Sequence, residues 1–187
     1  MYSILSKIRS VFLYPFQFKS FGKGSKIILP LKLNGKKNIV IGEHVSINNK
    51  TWLLCEPLTD TQTPILKIGD GCIIGHFNHI CATHSVVFEN NVLTADKVYV
   101  SDNLHSFDDI NTPIHQQPIK QINTVTIGEG SWLGENVCVI GANIGKHCTI
   151  GANSVVTHDI PDYSVAVGAP AKVIKQYNFE TKQWEKK

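Results

Sequence analysis

The stretch Thr126–Val156, TIGEGSWLGENVCVIGANIGKHCTIGANSVV, places an aliphatic residue before glycine at Ile127-Gly128, Leu133-Gly134, Ile144-Gly145 and Ile150-Gly151. The step within each half is six. An amphipathic helix repeats near three and four and a half-buried strand at two, so six belongs to neither. A coil of three short flat segments produces it. Each segment turns one aliphatic side chain inward and ends in a turn where Gly or Asn tolerates unusual backbone angles. The sequence therefore predicts an all-β chain wound as a parallel β-helix.

The period extends well outside the quoted stretch. Ile68, Ile74, Ile80, Val86, Val92, Val98 and Leu104 keep a strict spacing of six, while Ile27, Leu33 and Ile39 share one earlier register and Ile41, Ile47 and Leu53 another. Between Val139 and Ile144 the step shrinks to five, which reads as a tightened turn. Two stretches break the pattern. Glu56–Pro64 (EPLTDTQTP) and His105–Asn123 (HSFDDINTPIHQQPIKQIN) are expected to loop out of the wall, and loops on a rigid scaffold are where function concentrates.

At 187 residues the chain reads as one domain, since a solenoid buries its core coil by coil. Residues 1–24 are expected to form an N-terminal helix or cap, 25–172 the β-helix, and 173–187 a C-terminal tail. Ile4, Ile8, Val11 and Phe12 recur at helical spacing before Pro15 ends the pattern. That stripe suits a cap over the open end of the coil, or a helix lying on a membrane surface. A net charge of +3, with lysines gathered at Lys32–Lys37 and near the C-terminus, gives no reason for a nucleic-acid partner. Cys55, Cys72, Cys81, Cys138 and Cys148 are odd in number and include no CxxC pair, so they read as reduced thiols in repeat positions. Lys7 and Arg9 interrupt the N-terminal apolar stretch and no run is long enough to span a membrane, so the expected location is cytoplasmic.

The hexads, the block SWLGENVCVIGANIGKHCTIGANSVVTHDIPDYSVAVGAPAKVIK and the segment SDNLHSFDD together resemble the hexapeptide-repeat acyltransferases. Within that family the likeness is greatest to the sugar O-acetyltransferases of lipopolysaccharide and capsule pathways, and it covers Ile27–Lys175. The resemblance implies a left-handed β-helix, a homotrimer, and an acetyl-CoA site in each groove between neighbouring subunits. Handedness comes from the resemblance alone, because parallel crossovers are in general right-handed.

Acetyl transfer from a thioester to a sugar hydroxyl needs a base to take the hydroxyl proton, a task suited to histidine near neutral pH. His105 matches the family's catalytic base. Asp102 is a candidate to hold its tautomer, or a turn aspartate. The chain lacks GxSxG and its cysteines occupy packing positions, so direct transfer is expected rather than an acyl-enzyme. By the same resemblance Trp132, Gly134, Glu135, Ala152, Thr157 and His158 match CoA contacts, and Lys172 and Lys175 match the pair that meets its phosphates. Glu135 stands where relatives often carry a small residue, and His158 replaces a common lysine. Alone, the lysine pair reads more readily as a solvated face than as an anion site.

Acceptor binding carries over less well. Gly75 and Thr83 occupy the places of sugar-contacting residues in galactoside enzymes, which implies a different sugar or glycan. Asn78, His79 and His84 are candidates for holding it. A rival reading takes His44, His79 and His84 as zinc ligands in the manner of γ-class carbonic anhydrases. The loop at 56–64 shifts the register between His44 and His79, and the lysine block has no part in hydrating carbon dioxide. No metal is therefore expected, and an amino-sugar acceptor stays open.

Overall fold

The computed structural model describes residues 2–187 and winds the chain into a parallel β-helix with three flat faces. The first face stacks Ser20–Phe21, Ile39–Ile41, Ile65–Ile68, Ser85–Phe88 and Val125–Ile127. The second runs from Lys26–Ile27 through Ser46–Ile47, Ile73–Ile74, Leu93–Thr94, Trp132–Leu133 and Thr149–Ile150 to Ser164–Val167. The third comprises Lys32–Asn34, Trp52–Cys55, His79–Ala82, Tyr99–Ser101, Cys138–Ile140 and Val155–Val156. Ladders of apolar side chains such as Ile41, Ile68, Phe88 and Ile127 fill the interior.

The turns explain the period of six. At the first edge, between the first and second faces, Gly24, His44, Gly71, Asn91, Gly130, His147 and Tyr163 all carry positive φ. At the second edge, between the second and third faces, Lys50, Phe77, Lys97, Asn136 and Asn153 do the same. One left-handed residue per corner lets a flat segment restart at the next face, and Gly or Asn adopts that conformation at least cost. Glycine directly after the inward aliphatic has a second cause. A Cβ on Gly128 would lie 2.4 Å from the Gly145 carbonyl carbon, so adjacent coils meet there backbone to backbone.

The seven-member run conceals a change of column. Phe88 stacks on Ile68 and Val100 on Ile80, while Val86 stacks on Leu66. Ile68, Ile74 and Ile80 thus hold one inward register position on three successive faces, and Val86 begins a different one, that of Leu66. The switch occurs at the two-residue corner Thr83–His84. Leu104 is a correction to the run: it leaves the wall on the strand Asn103–His105 and is only half-buried. The short step after Val139 is the turn at Gly141, φ 60°, beyond which Ile144 bridges Ile127.

Every irregularity falls on the third edge, where the third face returns to the first. Loop 56–64 emerges there. So does the arm, a hairpin in which Asn103–His105 pairs antiparallel with Ile119–Gln121. At the C-terminus, the tail expected from sequence is ordered as strands Lys172–Asn178 and Gln183–Lys186, which add antiparallel to the second face.

At the other end the coil starts at Ser20, and two helices precede it: α1 (Tyr2–Phe12) and α2 (Tyr14–Gln17). Tyr14 and Phe18, buried and packed edge to face at 5.4 Å, join the end of the core. The stripe read as a possible cap does not. Ile4, Ile8, Val11 and Phe12 are exposed, while Ser10 is buried and accepts a hydrogen bond from the Ile27 N–H at 3.3 Å. α1 meets the coil at Ser10.

Candidate active site

His105 ends the first strand of the arm, opposite Ile119, with its side chain exposed. The arm is closed by Ser106 N–H to Pro118 O at 3.0 Å and by Ile122 N–H to Asp102 O at 3.0 Å. Between the arm and loop 56–64 lies a groove of about 830 Å³ lined by residues of both, among them Thr59, Asp60, Asp108 and Lys120. Lys120 pairs with Asp108 at 3.2 Å.

Asp102 does not contact His105. It is fully buried, and its carboxylate accepts the N–H groups of Thr83 (2.9 Å), His84 (2.8 Å) and Ser85 (2.8 Å) together with the Asn103 amide (2.8 Å). The proposed tautomer-holding contact is therefore replaced by a structural one. Successive corner N–H groups form a natural anion cradle, and Asp102 fills it from the following coil.

Gln121 ties this corner to both insertions. Its Oε1 lies 2.9 Å from the Thr83 hydroxyl and 3.3 Å from that of Thr59, and its Nε2 donates to Asp102 O at 2.8 Å. His84 projects beside them, its Nδ1 2.5 Å from the Thr61 hydroxyl. Sequence reading missed Thr59, Thr61 and Gln121. Their meeting depends on two insertions emerging from one edge, which no local spacing encodes.

Two other acceptor candidates change character. Asn78 is buried, donating to Ala95 O at 3.1 Å and accepting the Val98 N–H at 2.8 Å, so its amide is used within the coil. It is withdrawn from the acceptor set. His79 lies on the third face, stacked on Trp52 with centroids 4.2 Å apart and next to Tyr99 at 5.3 Å. Burial lowers its pKa, favouring the neutral ring, and its Nε2 is buried without a partner among the described residues. Gly75 and Thr83 serve packing: a Cβ on Gly75 would meet Ala95 O at 2.2 Å, and Thr83 is buried against Asp102.

The zinc reading loses its geometry within one chain. His44 lies in a turn of the first edge, His79 on the third face and His84 at the third edge. Among the described residues no three potential ligands converge.

Trp132 stands exposed on the second face, in one row with the exposed Ile73 and Leu93. Gly134, Glu135 and Ala152 follow on the second edge. A Cβ on Gly134 would lie 2.8 Å from Ala152 N, so glycine here permits the close stacking of those coils. Glu135 reaches back to Lys97 at 3.3 Å, which turns its carboxylate along the coil stack. Lys172 and Lys175 are exposed on the strand added to the second face. Thr157 and His158 lie apart from these on the third edge, linked by an Oγ1···Nδ1 contact of 3.0 Å. The candidate donor residues thus divide between two edges, and His105 shares one of them.

Four of the five thiols fit no nucleophilic role. Burial pushes Cys55 up to about 12 and Cys72 to about 11, and raises Cys81 and Cys148, keeping all four protonated near neutral pH.

The architecture is a parallel β-helix with an exposed histidine on a projecting arm, and comparison with known proteins identifies the family it belongs to. The profile of the hexapeptide repeat of succinyl-transferase matches residues 124–158. A putative lipopolysaccharide biosynthesis O-acetyl transferase of Escherichia coli is 40% identical over 129 residues, 65% of this chain and 66% of that protein. A probable acetyltransferase of Mycobacterium tuberculosis is 43% identical over 165 residues, 88% of this chain but 51% of that protein. The chain therefore spans between half and two thirds of the length of these two relatives. The galactoside O-acetyltransferase of Escherichia coli is 35% identical over 160 residues, 83% of this chain and 75% of that enzyme. Among solved structures, AntD, an N-acyltransferase from Bacillus cereus in complex with dTDP and 3-hydroxybutyryl-CoA, superposes with a TM-score of 0.75 over 90% of this chain and 88% of its own, at 19% identity. The chain belongs to the hexapeptide-repeat acyltransferase family, and its fold is the left-handed parallel β-helix.

Proposed function

We propose that the chain transfers acetyl from acetyl-CoA to a sugar hydroxyl in lipopolysaccharide, O-antigen or capsule biosynthesis, with His105 as general base. The observation that carries this reading is the placement of His105, exposed on the arm whose Ser106 and Ile119 line the groove, in a chain 40% identical over 129 residues to a putative lipopolysaccharide biosynthesis O-acetyl transferase. The neutral imidazole takes the hydroxyl proton as the oxygen attacks the thioester carbonyl. The imidazolium then returns that proton to the departing CoA thiolate, leaving an acetyl ester and free thiol. Protonated, buried cysteines favour this direct route over an acyl-enzyme. AntD's N-acyl chemistry, at 19% identity, does not decide the acceptor atom. Incubation with acetyl-CoA and a panel of sugars, nucleotide sugars and lipid-linked glycans tests the reading. CoA release should accompany a product whose acetyl group is removed by hydroxylamine, as an ester is; a hydroxylamine-stable amide would make the enzyme an N-acetyltransferase.

The working form is a homotrimer in this reading. Trp132, Gly134 and Ala152 lie towards the second edge and His105 on the third, with the third face between them. A neighbour laying its second edge against the third edge of the first copy completes one site, and the same contact repeated closes a ring of three. Activity should fall with dissociation on dilution. A fully active monomer in sedimentation would reject the shared site.

Lys172 and Lys175 are the proposed partners of the donor's phosphates. Such contacts form equally in the ground and transition states. Lys172→Ala should therefore raise the KM for acetyl-CoA about tenfold while kcat changes little. Steady-state kinetics with varied acetyl-CoA checks the split. Acetyl-CoA as the donor supports a cytoplasmic location in this reading.

A further inference from the structure

Charge is divided sharply along the chain. Residues 1–42 contain eight basic residues, Lys7, Arg9, Lys19, Lys23, Lys26, Lys32, Lys36 and Lys37, and no acidic one; Glu43 is the first. The rest of the chain carries 10 of the 18 Lys and Arg and all 15 Asp and Glu. The overall +3 therefore joins a +8 N-terminal end to a body of −5.

The same end carries an apolar surface turned away from the core. Ile4, Ile8, Val11 and Phe12 follow the i, i+4, i+7, i+8 spacing of one helix stripe, and with Leu13 and Phe16 they are between 47% and 78% exposed. Core packing explains none of this, because α1 turns Ser10 inward and leaves Tyr14 and Phe18 to close the coil. Basic groups flank the stripe directly. Lys37 donates to the Phe16 carbonyl at 2.9 Å and Lys36 to the Gln17 side chain at 2.8 Å. A groove of about 400 Å³, lined by Val11, Pro15 and Phe21, also has Lys23 and Lys26 in its wall.

We propose that the α1–α2 end of the coil docks on an anionic lipid surface, the exposed stripe entering the headgroup boundary while the surrounding lysines meet acidic headgroups. The occupant is chosen by charge complementarity. A second copy of this chain would set two such acid-free, basic ends against each other, whereas an anionic bilayer offers apolar depth and opposite charge together. The coil axis would then stand away from the membrane, with the arm and its groove displaced from the surface along the coil.

Flotation of the full chain with phosphatidylcholine vesicles, with and without phosphatidylglycerol, tests this. Binding is expected on the anionic vesicles, at least about tenfold stronger than on neutral ones and declining as salt rises. Phe12→Ser/Phe16→Ser and Lys36→Glu/Lys37→Glu should each reduce it by about tenfold or more, with unchanged thermal melting and unchanged oligomeric state. A Phe16→Trp variant should show quenching by brominated lipid in excess of the native protein. Absence of binding to anionic vesicles, or equal binding by both double variants, would overturn the proposal. Dissociation of the native assembly by Phe12→Ser/Phe16→Ser would also overturn it, assigning the face to a second copy.

Discussion

His105→Ala is expected to lower kcat by about a hundred- to ten-thousand-fold, the range by which a positioned general base accelerates proton transfer. Affinity for acetyl-CoA should stay within a few-fold, because the imidazole acts on the acceptor hydroxyl and is needed chiefly in the transition state. His115 is the internal control. It lies in the short 3-10 turn Ile114–Gln116 of the same arm, exposed, with its ring in contact with the neighbouring Gln116 amide, so His115→Ala should remain near native activity. Single-turnover rates, with CoA binding measured separately, distinguish the two. An active His105→Ala beside an inactive His115→Ala would move the base to the tip of the arm.

Asp102→Ala should produce the largest loss of stability. Its carboxylate is fully buried and answers three consecutive N–H groups, and a methyl in its place leaves those donors inside the coil without an acceptor. The cost is about 3 kcal/mol by the usual penalty for buried polar groups left unpaired. For a chain of this size that lowers the Tm by about 6–12 °C. Thermal unfolding followed by circular dichroism checks it. The kinetic readout separates the two roles considered for this residue. An aspartate that merely anchors the corner leaves kcat nearly intact well below Tm, whereas one acting on His105 would lower kcat with little change in melting.

How much of this was legible in the sequence follows from which interactions are local. The β-helix was, because every coil meets the same demands: an aliphatic side chain inward, a glycine where the next backbone passes, and a left-handed residue to turn the corner. Those demands repeat in register, and so they appear as a period. The same logic located both insertions, since a loop leaving the wall must interrupt the period. Gly134 against Ala152 was legible in part, as a glycine in its expected place.

The site was less so. Spacing marked His105 as the point where regularity ends, yet it counted Leu104 into the wall and offered Asp102 to the wrong partner. Asp102 lies three residues before His105, but its carboxylate points one coil back to Thr83–Ser85. Asn78, a candidate for holding the acceptor, spends its amide on Ala95 and Val98 within the coil.

The N-terminal stripe shows the limit most clearly. Periodicity established a helix with one apolar face, and the absence of acid before Glu43 was present in the sequence throughout. Which way that face turns was decided only by tertiary structure: Tyr14 and Phe18 already fill the end of the core, and the Ser10 hydroxyl meets the Ile27 N–H. An amphipathic pattern specifies a face but not its partner. Direction is fixed by which side chains compete for the space at the end of the coil, and that competition involves residues brought together only when the chain has wound.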